Sequence, residues 1–204
     1  MGKDSSAPDT DSNDLARIEK AAIDLFGAHG YDGTTDEMIA ETAGVPRQAV
    51  LDAGGRNSLY RRILEQCCRE QCAILDDLAA RLGAGDDRVA TVFSRMLQYH
   101  VDRRDILVIW RERRRLDAAE MNDIEERYIQ PVYQRMADIV GPETAESDEF
   151  HLLVIVFGWC LAGFTVGGAT RPDGTVLDPE DEGARTEFRS FMEEILHRLR
   201  HPPD

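Results

Sequence analysis

Apolar residues recur every three or four positions along most of the chain, and this spacing predicts amphipathic helices rather than strands. Short stretches rich in glycine, proline and small polar residues separate the helical segments. The predicted fold class is therefore all-α. The pattern predicts helices over residues 15–29, 36–42, 46–52, 57–82, 89–100, 103–116, 117–140, 150–168 and 179–200. Pro131 should kink the seventh of these, because proline removes a hydrogen bond from a helix interior.

Residues 38–50 have the spacing of a helix-turn-helix. Ala40 is followed four residues later by Gly44, and Val50 lies six residues further on. A small residue lets the second helix cross closely, a glycine allows positive φ in the turn, and an aliphatic residue fills the gap between the helices. An ordinary helical hairpin is the alternative, but the coincidence of these positions favours a DNA-reading motif.

Four further patterns precede this stretch in a fixed order. They are an apolar first helix, a Leu-Phe pair, a Gly-Tyr turn and a threonine pair, at Ile18/Ala21/Ala22, Leu25-Phe26, Gly30-Tyr31 and Thr34-Thr35. Together with the helix-turn-helix spacing they resemble the N-terminal domain of the TetR family of transcriptional regulators over about residues 15–64. The resemblance implies a DNA-binding domain followed by a larger helical domain that binds a ligand and dimerises. It allows drugs, lipids, acyl thioesters or signalling molecules as ligands.

The domain prediction follows from these patterns. Residues 1–13 are polar and acidic without an apolar period, which predicts a disordered tail. Residues 14–60 are predicted to form a three-helix DNA-binding domain with the helix-turn-helix. Residues 61–204 are predicted to form the larger C-terminal helical domain for ligand binding and dimerisation.

Seven residues are the candidates for contacts with double-stranded operator DNA. Arg47 and Gln48 would read bases, since arginine suits guanine and glutamine suits adenine in the major groove. A solvated helix face is the alternative for both. A helix-capping threonine can also hold a phosphate. The full set is Thr34, Thr35, Pro46, Arg47, Gln48, Leu51 and Arg56.

The chain departs from the family pattern after the third helix. Members of the family usually have a tyrosine at the position of Leu51 and a phenylalanine shortly after it, and this chain is one residue shorter there. The tyrosine commonly touches phosphate and the phenylalanine packs the helix exit. Asp52 adds a repulsive charge, so operator binding should be weak beside that of typical relatives. Arg56 would stand in for the family's usual phosphate-binding lysine.

A cluster of aromatic residues around the expected kink predicts a pocket for a small, mostly apolar effector. Simple core filling is the alternative. The predicted lining residues are Phe93, Met96, His100, Trp110, Tyr128 and Phe157.

The last two predicted helices carry more apolar surface than one partner helix can cover. Residues 150–166 are nearly uncharged, but they fall short of the roughly 20 apolar residues that a membrane span requires. Residues 179–200 have a wide apolar stripe. The two helices are therefore predicted to form a homodimer as a four-helix bundle, with no membrane partner. The polar N-terminus shows no secretory signal, which predicts the cytoplasm.

Composition restricts the function further. The net charge is −15, and residues 1–60 hold five basic against eleven acidic residues, a balance of −6. The DNA prediction therefore rests on the motif and not on charge. Motifs of hydrolases, zinc proteases and nucleotide-binding enzymes are absent, so no enzyme activity, cofactor or metal site is predicted.

The four cysteines do not suggest a disulfide framework. Cys68 and Cys72 lie four residues apart and can share a helix face. A metal or redox site is the alternative there, but two thiols make an incomplete site for a metal such as zinc, so packing cysteines are the prediction. The function predicted from the sequence is a ligand-responsive transcriptional regulator that represses and is released by its effector. The alternative is a ligand-binding dimer of the same fold with weakened or lost DNA binding.

Overall fold

A computed structural model of the chain describes residues 8–114 and 118–200, and it is helical almost throughout. The helices are α1 (Pro8–His29), α2 (Asp36–Ala43), α3 (Arg47–Asp52), α4 (Gly55–Arg81), α5 (Arg88–Asp102), α6 (Arg104–Arg114), α7 (Gln130–Val140), α8 (Pro142–Ala145), α9 (Asp148–Gly167) and α10 (Glu182–Arg200). A π-helical segment, Glu125–Ile129, precedes α7. Two short antiparallel strands, β1 (Ala169–Thr170) and β2 (Val176–Leu177), separate α9 from α10. The all-α prediction is confirmed.

The chain folds as two compact units. The first comprises Met1–Cys67 and Ile109–Asn122, and the second comprises Cys68–Val108 and Asp123–Asp204. Within the first unit, the Ala118 N–H donates a hydrogen bond of 3.1 Å to the Asp32 carboxylate. The functional boundary predicted between residues 60 and 61 stays a prediction.

Aromatic residues form the centre of the first unit. Phe26 is 0% exposed, and its ring meets that of Tyr60 edge-on with the centroids 5.1 Å apart. Tyr31 lies 4.9 Å from the Tyr60 ring. Such pairs add about 0.5–1.5 kcal/mol to the burial of their apolar surface. This cluster holds α1 and the beginning of α4 together around the helix-turn-helix.

The core of the second unit is built mainly from α5, α7, α9 and α10. The Phe93 ring lies 4.8 Å from that of Phe157 and 5.8 Å from that of Phe150. Phe164 and Phe188 stack with their centroids 4.0 Å apart, which joins α9 to α10.

The ends of the chain differ from the sequence prediction. Helix α1 already begins at Pro8, whereas a disordered tail was predicted to Asn13, and residues 1–7 lie outside the described residues. Helix α10 begins at Glu182 instead of Pro179, because the Asp181 carboxylate accepts the Ala184 N–H at 2.8 Å and caps the helix there. The two strands before it were not predicted.

The region around Pro131 also differs in form. The predicted helix over residues 117–140 is replaced by a turn, the π-helical segment and α7, and residues 115–117 are not described. The Gln130 N–H donates to the carbonyl of Glu125, five residues back, and Pro131 occupies the first turn of α7. A proline is tolerated there because the first amides of a helix need no intrahelical acceptor. The interruption is thus a wider helical turn before the proline.

Helix α9 packs one apolar face into the core of the second unit. Its buried face contributes Leu153, Phe157 and Leu161 to the core of the second unit. By length and composition alone, Asp148–Thr165 could cross a membrane, the one such helix among the described residues. The packing of this face supplies another reason for its apolar composition, since core helices pass the same test.

Candidate nucleic-acid interface

Helices α2 and α3 have the geometry of a helix-turn-helix. The Thr35 hydroxyl caps α2 by accepting the Met38 N–H at 3.2 Å. Gly44 ends the helix with φ +65°, a left-handed conformation that glycine adopts without a Cβ clash. The following Val45 N–H returns to the carbonyl of Ala40 at 3.0 Å. Val50 is buried, so the three positions that define the motif in the sequence have their expected places.

Arg17 holds the turn from outside the motif. Its Nη2 donates to the carbonyl of Gly44 at 3.0 Å and to that of Ala43. A Cβ on Gly44 would lie 2.8 Å from this nitrogen, so the glycine also makes room for the arginine. The sequence prediction missed this contact, because no local pattern links α1 to a turn 26 residues away.

The outward face of α3 agrees with the predicted orientation. Pro46, Arg47 and Gln48 are exposed, while Val50 is buried against α2. Leu51 is 36% exposed, so an apolar side chain lies on this face where the family resemblance expected a tyrosine. Exposed apolar groups can contact the methyl group of thymine in the major groove.

Both predicted base-reading side chains are paired with carboxylates. Arg47 Nε forms an ion pair with Glu37 of α2, and Gln48 Nε2 donates to Asp52 Oδ1 at 2.8 Å. A hydrogen bond from its own backbone N–H, followed by the contact with Arg47, lowers the pKa of Glu37 below its usual value. Both partners in this ion pair are more than half exposed, and exposed pairs contribute little energy. A DNA phosphate or base could therefore replace Glu37 at modest cost.

The two candidate threonines have different environments. Thr34 is 0% exposed, and its hydroxyl donates to the carbonyl of Gly30 at 2.7 Å. A phosphate cannot reach that hydroxyl, so Thr34 is removed from the candidate interface. Thr35 is exposed and caps α2, where it remains a candidate. Asp36 and Glu37 occupy the first turn of the same helix and oppose an anion there.

Arg56 ties the beginning of α4 to the turn between α1 and α2. Its Nη1 donates to the carbonyls of Tyr31 at 3.0 Å and Thr34 at 2.9 Å. The guanidinium also lies 4.2 Å from the centroid of the Tyr31 ring. Its backbone N–H donates to the Asp36 carboxylate at 2.6 Å. These bonds give Arg56 a structural role, and its phosphate contact stays a prediction.

Two glycines make the exit from α3. Gly54 and Gly55 have φ of +98° and +69°, and a Cβ on Gly54 would lie 2.6 Å from that of Ser58. Arg62 completes the turn by donating from Nη2 to the carbonyl of Ala53 at 2.8 Å and from Nη1 to Glu19 at 3.0 Å. This turn is thus closed by glycine backbone and an arginine.

The predicted effector residues do not fall in one unit. Phe93, Met96 and Phe157 belong to the core of the second unit, and Tyr128 is also buried in it. Trp110 belongs to the first unit. The pocket predicted from these residues stays a prediction.

His100, the remaining candidate, is partly buried on α5. Burial lowers the pKa of its imidazole, although the carbonyl of Met96 raises it in part. The Nδ1–H donates to that carbonyl at 2.7 Å, while burial disfavours the charged form of the ring. The neutral form of an imidazole can lie beside an apolar effector without leaving a charge unpaired.

A groove is present between α7, α8 and α9, and the predicted residues do not line it. It has a volume of about 580 Å³ and is open to solvent beside the exposed Tyr133 and Ile155. The lining residues are Gln130, Tyr133, Gln134, Ala137, Ala145, Phe150, His151, Val154 and Ile155. Among the described residues, no group of three or more histidine, cysteine or acidic side chains could hold a metal ion.

A capped helix-turn-helix of this kind is one of the elements by which proteins read DNA. Residues 18–52 match the sequence model of the bacterial regulatory proteins of the tetR family. No curated protein sequence matches the chain. The fold resembles several solved structures, each below 25% identity and so informative about fold alone.

One similar structure is the fatty acid degradation regulator FadR from Bacillus halodurans, with a TM-score of 0.62 and 10% identity over 99% of this chain and 98% of that one. Another is a tetR-family regulatory protein from Rhodococcus RHA1. Its TM-score is 0.56 and its sequence identity is 21%, over 89% of this chain and 96% of that one. A third is the TetR-family repressor FadR from Thermus thermophilus in complex with lauroyl-CoA. Its TM-score is 0.52 and its sequence identity is 18%, over 91% of this chain and 92% of that one. The sequence match covers the helix-turn-helix region of this chain, and the structural likeness extends the shared fold over about nine tenths or more of its length.

Proposed function

We propose that this protein binds operator DNA as a homodimer and represses transcription until a small, mostly apolar molecule releases it. The observation that carries the proposal is the outward face of α3. Arg47, Gln48 and Leu51 are exposed on a helix whose position is held by the Gly44 turn and by Arg17. Arginine and glutamine on such a helix are standard readers of guanine and adenine.

The proposed mechanism is a shift between two dimer geometries. In one geometry, the paired α3 helices are about 34 Å apart and enter successive major grooves. In the other, a ligand bound in the larger domain moves α4 and spoils this spacing. Helix α4 suits the task because it is continuous from Gly55, just after α3, to Arg81.

Operator binding is expected to be weak and to depend on specific contacts. Glu37 and Asp52 lie beside the two base-reading side chains, and Asp36 caps the beginning of α4. With a balance of −6 over residues 1–60, little of the affinity can come from general attraction to phosphate. Sequence preference should therefore be large relative to non-specific binding.

The test is binding to DNA fragments from around the protein's own coding region, measured at low and moderate salt against random DNA of equal length. One preferred fragment at either salt supports the proposal. Equal binding to every fragment at both salts contradicts it, and a ligand-binding dimer without DNA activity then becomes the better hypothesis. Either function suits a cytoplasmic location.

The effector is proposed to be largely apolar. The aromatic core of the second unit and the open groove both offer apolar walls with a few polar groups, the composition usual for ligand sites. The Thermus thermophilus relative is described in complex with lauroyl-CoA, which makes acyl thioesters one class to assay. A shift in melting temperature on adding acyl-CoA, fatty acid or an apolar drug would show which class binds.

The homodimer is proposed to form through α9 and α10. Leu152, Ile155 and Trp159 lie along one exposed stripe of α9, and Trp159 is 66% exposed. Helix α10 exposes Phe191, at 61%, and Leu199. Contiguous exposed apolar patches mark association sites. The stripe of α9 continues into Gly163 and Gly167, where nothing lies within 4 Å of an added Cβ, so another helix can approach closely.

A Phe191→Glu variant should be monomeric. A charge at this position would have to be buried without a partner when two α10 helices meet, which is strongly unfavourable. Sedimentation velocity would measure the change. The control is Val176→Glu, which puts the same charge on another exposed apolar residue, in β2 outside both helices. A dimer that survives Phe191→Glu would place the interface elsewhere.

A further inference from the structure

Cys68 and Cys72 form a close pair of sulfur atoms on α4. They lie one helical turn apart, and their Sγ atoms are separated by 3.9 Å. Cys72 is 8% exposed at the edge of the core of the second unit, and Cys68 is more accessible. Packing of two small apolar residues does not require their sulfurs to face each other. Because these two thiols do face each other, they can bind one atom together.

The surroundings limit what this pair can bind. A zinc site needs three or four protein ligands, and the described residues contain no such group of histidine, cysteine or acidic side chains. Soft thiolate ligands select soft centres such as Cu(I). The pair therefore fits a soft metal or metalloid atom that needs only two sulfur ligands.

A disulfide fits the geometry less well. It needs an S–S distance of about 2.05 Å and Cβ atoms about 3.5–4.5 Å apart, whereas residues four apart on a helix have Cβ atoms about 5–6 Å apart. Oxidation would therefore have to deform α4. An atom placed between two sulfurs that are already 3.9 Å apart leaves the helix intact.

We propose that Cys68 and Cys72 form a dithiol site for a thiophilic centre that takes two sulfur ligands, either cuprous ion or a trivalent organoarsenical. With Cu(I), two thiols lose their protons and the product is a bis-thiolate copper complex plus two protons. With an arsine oxide, two thiols form two As–S bonds and release one water. Neither reaction needs an oxidant or a reductant.

Occupation of the site would bridge one turn of α4. This turn begins at Cys68, where the second compact unit starts along the chain. A bridge between residues four apart stabilises the helical form of that turn, because it removes conformations from the unfolded alternatives. The proposal concerns binding at α4 and does not depend on the proposed operator activity.

The test is titration of the fully reduced protein under anaerobic conditions, with Cu(I) in one arm and phenylarsine oxide in the other. Native mass spectrometry should show about one tight equivalent per chain. The Cys68→Ser and Cys72→Ser variants should each bind about 100-fold more weakly or worse, since two linked ligands bind that much better than one. Circular dichroism would verify that the variants fold.

Two other cysteines supply matched controls. Cys67 is the preceding residue on α4 and is almost fully buried, and Cys160 lies alone on α9, where burial raises the pKa of its thiol. Cys67→Ser and Cys160→Ser should keep the tight equivalent. Retention of binding in both the Cys68→Ser and Cys72→Ser variants, or no tight equivalent of either probe in the wild type, overturns the proposal. Binding of one probe alone identifies which of the two centres the site accepts.

Discussion

Replacing Arg47 with alanine should weaken binding to a specific operator by about 1–3 kcal/mol, because Arg47 is the exposed cation on the outward face of α3. Its loss should relax the preference at one base position while leaving binding to random DNA nearly unchanged. Fluorescence anisotropy with the preferred fragment and with random DNA would measure both quantities. Lys20→Ala is the control, since it removes the same charge from an exposed residue of α1 that pairs with Asp24.

The Glu37→Gln variant completes this experiment. It keeps the shape of the side chain but removes the carboxylate that pairs with Arg47. Affinity for all sequences should rise, because a repulsive charge beside the phosphates is lost. If Arg47→Ala leaves operator affinity and base preference unchanged, then α3 does not read DNA through this residue.

Replacing Phe26 with alanine should lower the free energy of unfolding of the first unit by about 3–5 kcal/mol. The side chain is fully buried, and its ring contacts those of Tyr31 and Tyr60. The cavity would lie beside the helix-turn-helix, so operator binding should be lost along with stability. Urea denaturation followed by circular dichroism would measure the change.

Leu15→Ala is the matched control for this variant. Leu15 lies on the same helix, but it is among the exposed large apolar residues. Surface substitutions usually change stability by less than about 0.5 kcal/mol. Equal destabilisation by Phe26→Ala and Leu15→Ala would mean that the aromatic cluster does not stabilise this unit.

Local chemistry explains why the helix-turn-helix could be predicted. Gly44 needs positive φ, Thr35 is a good cap, and Val50 must be apolar to fill the space between α2 and α3. Each requirement acts within about fifteen residues, so it leaves a pattern in the sequence. Helices α2 and α3 accordingly match their predicted bounds within one residue.

Other elements left little local signal. Strands β1 and β2 have two residues each, which is too short for an alternating pattern. Their pairing depends on Gly168, whose backbone approaches the carbonyl of Leu177 so closely that a Cβ would lie 2.2 Å from it. The π-helical segment before Pro131 is likewise a choice among several ways of accommodating a proline, and periodicity does not distinguish them.

The sequence by itself determined the all-α class, the spacing of the helix-turn-helix and the outward orientation of Arg47 and Gln48. Each of these depends on periodicity or on one residue's backbone preference. Only the tertiary structure decided which other polar groups are used internally. The same arginine can donate to a phosphate or to a carbonyl, and the choice depends on which acceptors the fold brings near. Here the carbonyls of Gly44, Thr34 and Ala53 approach the side chains of Arg17, Arg56 and Arg62. The burial of Thr34 was decided in the same way, by the packing of α1 against the turn that follows it.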